Sequence, residues 1–183
     1  MKIILIGFMG AGKSFFSKRL AECLGLERVE TDELAIKKSG RNSVKEIITQ
    51  DGEIKLRELE IEIAKELQEK DGVVIDTGGG VVLNKIILDY LKKDGVVVFL
   101  NSSLEIIEKR LQGDEVRPIW QDKERFRQQY GLRLPLYRQY ADMEVDTSWP
   151  LFFSPDGKSH EMTPEAEKIL EEIIKKIKAY NIK

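Results

Sequence analysis

The stretch Lys2-Ile-Ile-Leu-Ile-Gly7-Phe-Met-Gly10-Ala-Gly12-Lys13-Ser14 decides the fold. Its first part is an apolar run rich in β-branched residues, with no polar alternation, which predicts a short strand over 3–6 covered on both faces. Its second part, from Gly7 to Ser14, fits GxxxxGK(S/T), and the apolar spacing over 14–24 predicts a helix directly behind it. A strand, a glycine-bent loop and a helix N-terminus together aim backbone N–H groups inward and add the positive end of the helix dipole, a cradle for phosphate oxygens. Average residue frequencies give this pattern by chance in about one chain in a hundred of this length. The candidate nucleotide contacts are therefore Gly10, Ala11, Gly12, Lys13, Ser14 and Phe15. Lys13 would reach the β- and γ-phosphates of a bound nucleotide, and the Ser14 hydroxyl would ligate Mg²⁺, although the loop alone does not choose among kinases, GTPases, ATPases and nucleotide-binding regulators. No NKxD stretch that reads guanine occurs in the chain.

Working outward, further apolar runs at 73–75 and 96–100 read as covered strands, with shorter ones over 28–32, ending at Asp32, and 145–147. Helical spacing lies between them at 43–69, 85–92 and 104–111. The clearest helix is C-terminal, where Ala166, Ile169, Leu170, Ile173, Ile174 and Ile177 recur at helical spacing behind Thr163-Pro164. Strands alternating with helices predict an α/β fold, a parallel sheet of about five strands between helical layers, in a single domain over 1–183.

Composition narrows the function. The chain has 183 residues, 42% hydrophobic and 34% charged, with a net charge of −2, so no global positive field would hold nucleic acid or an anionic membrane. One cysteine, Cys23, excludes an internal disulfide and is expected buried in the first helix; one histidine, His160, excludes a histidine-cluster metal site. The N-terminal apolar run is too short for a secretory core, and no run of about 18 apolar residues could span a bilayer, so a cytoplasmic protein is expected.

If the sheet is parallel, its strand ends share one edge, and four further features converge on the loop there. Asp32, in Glu30-Thr-Asp32, could orient or deprotonate an acceptor hydroxyl, or simply cap a helix. Arg57, spaced four after Glu53 and three before Glu60, could bind an anion or lie in a solvated salt-bridge helix. Asp76-Thr77-Gly78-Gly79-Gly80 follows a strand, and three glycines mark a close approach to backbone. Arg110, Arg117-Pro118 and Arg133-Leu-Pro-Leu-Tyr137 surround a polar segment over 112–129, a candidate lid carrying cations over the phosphates.

In this order and spacing, the loop at Gly7, the Thr31-Asp32 pair, GExxxR at 52–57, TGGG at 77–80, Arg117-Pro118 and RxPLY at 133–137 resemble the motif set of shikimate kinases, over about residues 3–147. The resemblance implies a nucleoside-monophosphate-kinase-like three-layer P-loop fold with an acceptor-binding helical region around 33–69. It implies transfer of the γ-phosphoryl of ATP, with Mg²⁺, to the 3-hydroxyl of shikimate on the route to chorismate and the aromatic amino acids. Lys13, Asp32 and Arg117 would be catalytic, and Arg110 would lie against adenine. Asp32, Arg57, Gly79 and Arg133 would bind shikimate, with Glu60 holding Arg57. Glu30 stands where the family usually has Asp, and Ile48 and Leu56 where it often has phenylalanine. Its partners would be two small molecules, with no nucleic acid and no membrane, and the chain would act as a monomer. A gluconate kinase and a silent ATP-binding regulatory module are the rival readings. Over 148–163, Trp149, Phe152 and Phe153 are expected to pack on the body or a partner.

Overall fold

The computed structural model describes residues 1–112, 122–149 and 162–180. Five strands, β1 (Lys2–Ile6), β2 (Glu27–Glu30), β3 (Val73–Asp76), β4 (Gly95–Asn101) and β5 (Met143–Asp146), form one parallel sheet in the order β2-β3-β1-β4-β5. β1 is central, with Ile4 level with Ile75 on one side and Val97 on the other. The order places the loop after β1 beside the loop after β3, where parallel sheets open a crevice at their carboxyl edge.

The unbroken apolar runs are explained by two covered faces. Ile4, Ile6, Val73, Ile75, Val97 and Phe99 enter one core, while Ile3, Leu5, Val74, Val96, Val98 and Leu100 enter the other. None of these twelve side chains is more than 2% exposed. Each contributes about 1.5–3 kcal/mol by burial. The first core is closed by Leu59 and Ile63 of α4 (Glu53–Leu67), Leu88 and Leu91 of α5 (Lys85–Lys92) and Phe126 of a long later helix. The second is closed by Phe16 and Leu20 of α1 (Lys13–Leu24) and by Leu170 and Ile173 of the C-terminal helix. Among the described residues no helix is long and apolar enough to cross a membrane.

Several boundaries differ from the sequence reading. β2 stops at Glu30, and Asp32 lies in the first turn of α2 (Thr31–Ser39), whose N-cap is Glu30 rather than Asp32. The helix expected over 43–69 is broken. A short α3 (Val44–Glu46) runs into a π-helical turn, Ile47–Asp51, and Gly52 at φ 92 resets the chain before α4. Arg41 clamps Asp51 through two bonds of 2.8 and 2.5 Å and holds the break closed. Within this region Ile48 is exposed and Leu56 is core.

After α6 (Leu104–Arg110), residues 123–129, assigned to the lid from sequence, begin the long helix α7 (Lys123–Tyr140). Asp122 caps it by accepting from the Arg125 N–H, and Phe126 is fully buried. Pro135 sits inside α7, where the N–H it lacks would have met Gly131. α8 (Pro164–Tyr180) begins at the expected proline, with the Thr163 hydroxyl accepting from the Ala166 N–H at 3.2 Å. Cys23 is exposed, not buried: the apolar spacing of α1 runs through its last turn, but the layer covering Phe16 and Leu20 does not. Trp149 is 38% exposed rather than packed away, and Phe152, Phe153 and His160 lie outside the described residues.

Candidate active site

The loop after β1 is shaped for an anion. Gly12, at φ 93, is the N-cap of α1 and has no side chain with which to cap it, so the first-turn N–H groups are left for an outside acceptor. Lys13 is 8% exposed, and its ammonium donates to the Gly7 and Phe8 carbonyls at 2.9 and 3.2 Å. Ser14, the next residue, is exposed at the loop mouth. Ala11 is fully buried, and the Phe15 ring is core, edge-on to Phe16 and under the Arg19 guanidinium, so what Phe15 can offer a nucleotide is backbone.

Beside α1 lies a half-buried ionic cluster. Arg28 donates to the Ser17 hydroxyl at 2.8 Å, to Glu30 at 2.5 Å and to Asp76 at 3.3 Å, while the Ser17 hydroxyl donates to Asp76 at 3.1 Å. Burial, reinforced by Asp76, pushes the Glu30 carboxyl above its ordinary range, and Arg28 opposes the shift. Among the described residues no three His, Cys, Asp or Glu side chains stand together as a metal cage. A divalent cation here would be held by nucleotide phosphate oxygens and water together with one or two protein oxygens. That suits Mg²⁺ and an exposed serine with one acidic neighbour.

The three glycines after β3 each make room for a different group. A β-carbon at Gly78 would stand 2.7 Å from Asp32 Oδ1. At Gly79 it would stand 3.3 Å from the Met9 nitrogen, and at Gly80 2.9 Å from Arg57 Nη1. The loop is thus the meeting point of the acidic turn of α2, the phosphate loop and α4. The Gly78 N–H donates to the Thr31 hydroxyl at 3.1 Å and fixes α2 against it.

Arg57 lies in salt bridges and against the glycine loop at once. It bonds Glu60 at 2.7 Å and Glu53 at 3.0 Å while its guanidinium covers Gly80. Burial alone would lower its pKa, but Glu60 and Glu53 hold it above the ordinary value. The same burial pushes the Glu60 carboxyl up, against Arg57.

From the other side, α7 presents Arg133, which is 8% exposed and donates to the Gly79 carbonyl at 3.3 Å and to Gln129 at 3.0 Å. Its Nε has no partner among the described residues. One turn on, the Tyr137 hydroxyl donates to the same Gly79 carbonyl. Phe8 of the phosphate loop packs edge-on against Phe126 and Tyr130 of α7, at 5.1 and 5.5 Å between ring centres, which locks the two halves of the site together.

Arg110 is 6% exposed, and burial lowers its pKa to about 10. Its guanidinium donates to the Gly10 carbonyl at 2.8 Å, to the Ser102 hydroxyl at 3.1 Å and to the carbonyls of Thr147 and Trp149. It thereby fastens the phosphate loop to the chain beyond β5. Arg117, with Pro118, lies outside the described residues, as does most of the expected lid. Sequence reasoning gave no role to Arg28, Asp76 or Tyr137. The spacing of Gln129, Arg133 and Tyr137, four apart on one helix face, is the signal that would have found the last.

Comparison with known proteins agrees with this geometry. The family model for shikimate kinase matches residues 9–178. The shikimate kinase of Thermodesulfovibrio yellowstonii is 39% identical over 175 residues, 93% of each chain, and that of Caldicellulosiruptor bescii is 37% identical over 148 residues, 79% of this chain and 85% of the relative. Among solved structures, the Acinetobacter baumannii shikimate kinase in complex with shikimate superposes with a TM-score of 0.83 at 28% identity, covering 100% of this chain and 95% of that one. The Aquifex aeolicus shikimate kinase gives 0.77 at 30% identity, covering 100% and 99%. With a phosphate cradle opening onto a floor of two arginines and an aspartate, and with relatives matched along nearly its whole length, this ATP-dependent kinase belongs to the shikimate kinase family.

Proposed function

We propose that the chain transfers the γ-phosphoryl group of ATP directly to the 3-hydroxyl of shikimate, giving shikimate 3-phosphate and ADP. The observation that carries this reading is the convergence on Gly78–Gly80 of the Asp32 carboxylate, the Arg57 guanidinium and the phosphate loop, with Arg133 on the Gly79 carbonyl. An acceptor with one carboxylate and several hydroxyls matches two cations and one anion set around exposed backbone.

In this reading the phosphate loop holds the triphosphate through its N–H groups and Lys13, and Arg110 lies against the adenine end. Arg57 and Arg133 clamp the acceptor carboxylate, and the Gly79 backbone meets the ring. Asp32 orients the attacking hydroxyl and accepts its proton, a contribution of about 10²–10⁴ in rate for a positioned base. Mg²⁺, held by the Ser14 hydroxyl near Glu30 and by the phosphate oxygens of ATP, would supply charge neutralisation on the β- and γ-phosphates. Arg117 would add a cation over the transferring group. Every residue given a role belongs to one chain, so a monomer suffices for the reaction.

The test is ADP release from MgATP with shikimate, with gluconate and with no acceptor. Release that depends on shikimate is the expected result. Release with gluconate alone overturns the acceptor, and silence with every acceptor despite ATP binding overturns the reaction.

A further inference from the structure

The acceptor floor contains one group that no role above requires. Tyr137 is 1% exposed, its ring stacks on Phe99 at 5.1 Å and 15°, and its hydroxyl meets the Gly79 carbonyl. A carbonyl can only accept, so the hydroxyl proton points at it. Arg133 donates to the same oxygen from one turn earlier, and both donors are carried on a single rigid helix.

The consequence follows from peptide geometry. The Gly79 carbonyl and the Gly80 N–H belong to one planar unit, no cis peptide bond occurs among the described residues, and the two groups therefore point in opposite directions. With the carbonyl drawn toward α7, the Gly80 N–H is turned away from it. No acceptor among the described residues meets that N–H. The Val81 N–H donates to the Gly78 carbonyl at 3.2 Å and closes a turn around this peptide, whose two glycines allow it to flip, and the contacts from α7 select one of its two orientations.

We propose that the Tyr137 hydroxyl is the positioning group that fixes the Gly79–Gly80 peptide, so that the Gly80 N–H faces the bound acceptor next to Arg57. The inference rests on the acceptor reading above and deepens it. Tyr137 does not touch substrate; it acts through the peptide, and through the carbonyl it shares with Arg133.

The experiment compares wild type with Tyr137→Phe, which keeps the ring stack and removes the donor, and with Ile63→Val as a core substitution that removes no donor. In Tyr137→Phe the KM for shikimate should rise about tenfold, the loss expected for one hydrogen bond, while the KM for MgATP stays within about twofold. Ile63→Val should lower Tm without separating the two KM values. A second readout needs no variant. In wild type labelled with ¹⁵N-glycine, the Gly80 amide resonance should move when shikimate is added. An unchanged shikimate KM in Tyr137→Phe, an equal rise of both KM values, or a still Gly80 resonance in wild type that binds shikimate would each overturn the proposal alone. Wild type that neither binds nor phosphorylates shikimate overturns the acceptor reading and this proposal with it.

Discussion

The phosphate loop and the acceptor floor share one edge of the sheet but are built in opposite ways. The loop is a contiguous run, Gly7 to Ser14, that presents backbone N–H groups and one lysine. The floor takes Asp32 from α2, Arg57 from α4, Gly78–Gly80 from the end of β3, and Arg133 and Tyr137 from α7. Backbone donors at a helix end are fixed by local geometry and suit any polyphosphate. Side chains gathered from three helices are fixed only by packing, and in the proposed reading their arrangement selects the acceptor. Recognition of the common substrate is thus local, and recognition of the particular one is global.

The largest effect that could break this contrast is Asp32→Ala. It should lower kcat by about 10²–10⁴ while MgADP affinity, measured by calorimetry, stays within a few-fold. Loss of nucleotide binding as well would show that the two halves are not separable. Arg57→Ala should raise the shikimate KM by about 10- to 100-fold, the scale of a charged hydrogen bond, and leave the MgATP KM nearly unchanged. An unchanged shikimate KM would reduce Arg57 to its salt bridges with Glu53 and Glu60.

Gly78→Ala sharpens the same point without removing a functional group. The new methyl would stand 2.7 Å from Asp32 Oδ1, so kcat should fall, by about tenfold, for a modest overpacking cost of about 1–3 kcal/mol in stability. Thermal unfolding alongside steady-state kinetics checks both.

A pH effect follows from Glu60, whose carboxyl burial holds above the usual range. In the window just above ordinary carboxylate pKa values the folded state keeps this proton more readily than the unfolded chain. Stability therefore falls as pH rises through the window. Acceptor binding should run the other way, because a protonated Glu60 no longer anchors Arg57 as an anion. Shikimate affinity, measured without nucleotide, should weaken as pH falls through that window in wild type and respond less in Glu60→Gln. The smallest effect is expected far from both regions: Cys23→Ser should change stability by no more than about 0.5 kcal/mol, and native Cys23 should react with a thiol reagent.

Much of the architecture was legible because it follows from local rules. A strand buried on both faces must be apolar throughout, which gave β1, β3 and β4 to within about a residue; proline at the first turn gave the start of α8. The break at Ile47–Asp51 was not legible, because the charged pattern on either side is helical and its one cue, Gly52, also suits a helix end. α7 was hidden by Pro135 and Gly131, both poor helix formers, and is held by Phe126 and Tyr137 in the core.

By itself the sequence determined the phosphate-loop motif and the parallel α/β class, since backbone bending and strand burial depend on near neighbours in the chain; Asp32, Arg57, Gly79 and Arg133 were singled out as a set only by the resemblance of the motifs. Only the tertiary structure decided that each of three glycines yields space to a different group, that Arg110 fastens the Gly10 carbonyl, and that Arg28 bridges Glu30 and Asp76. The same holds for Tyr137 and Gly79, 58 residues apart in sequence and joined by one hydrogen bond. Such contacts depend on strand order and helix packing, which bring distant residues together through the summed burial of the whole core rather than through any local signal.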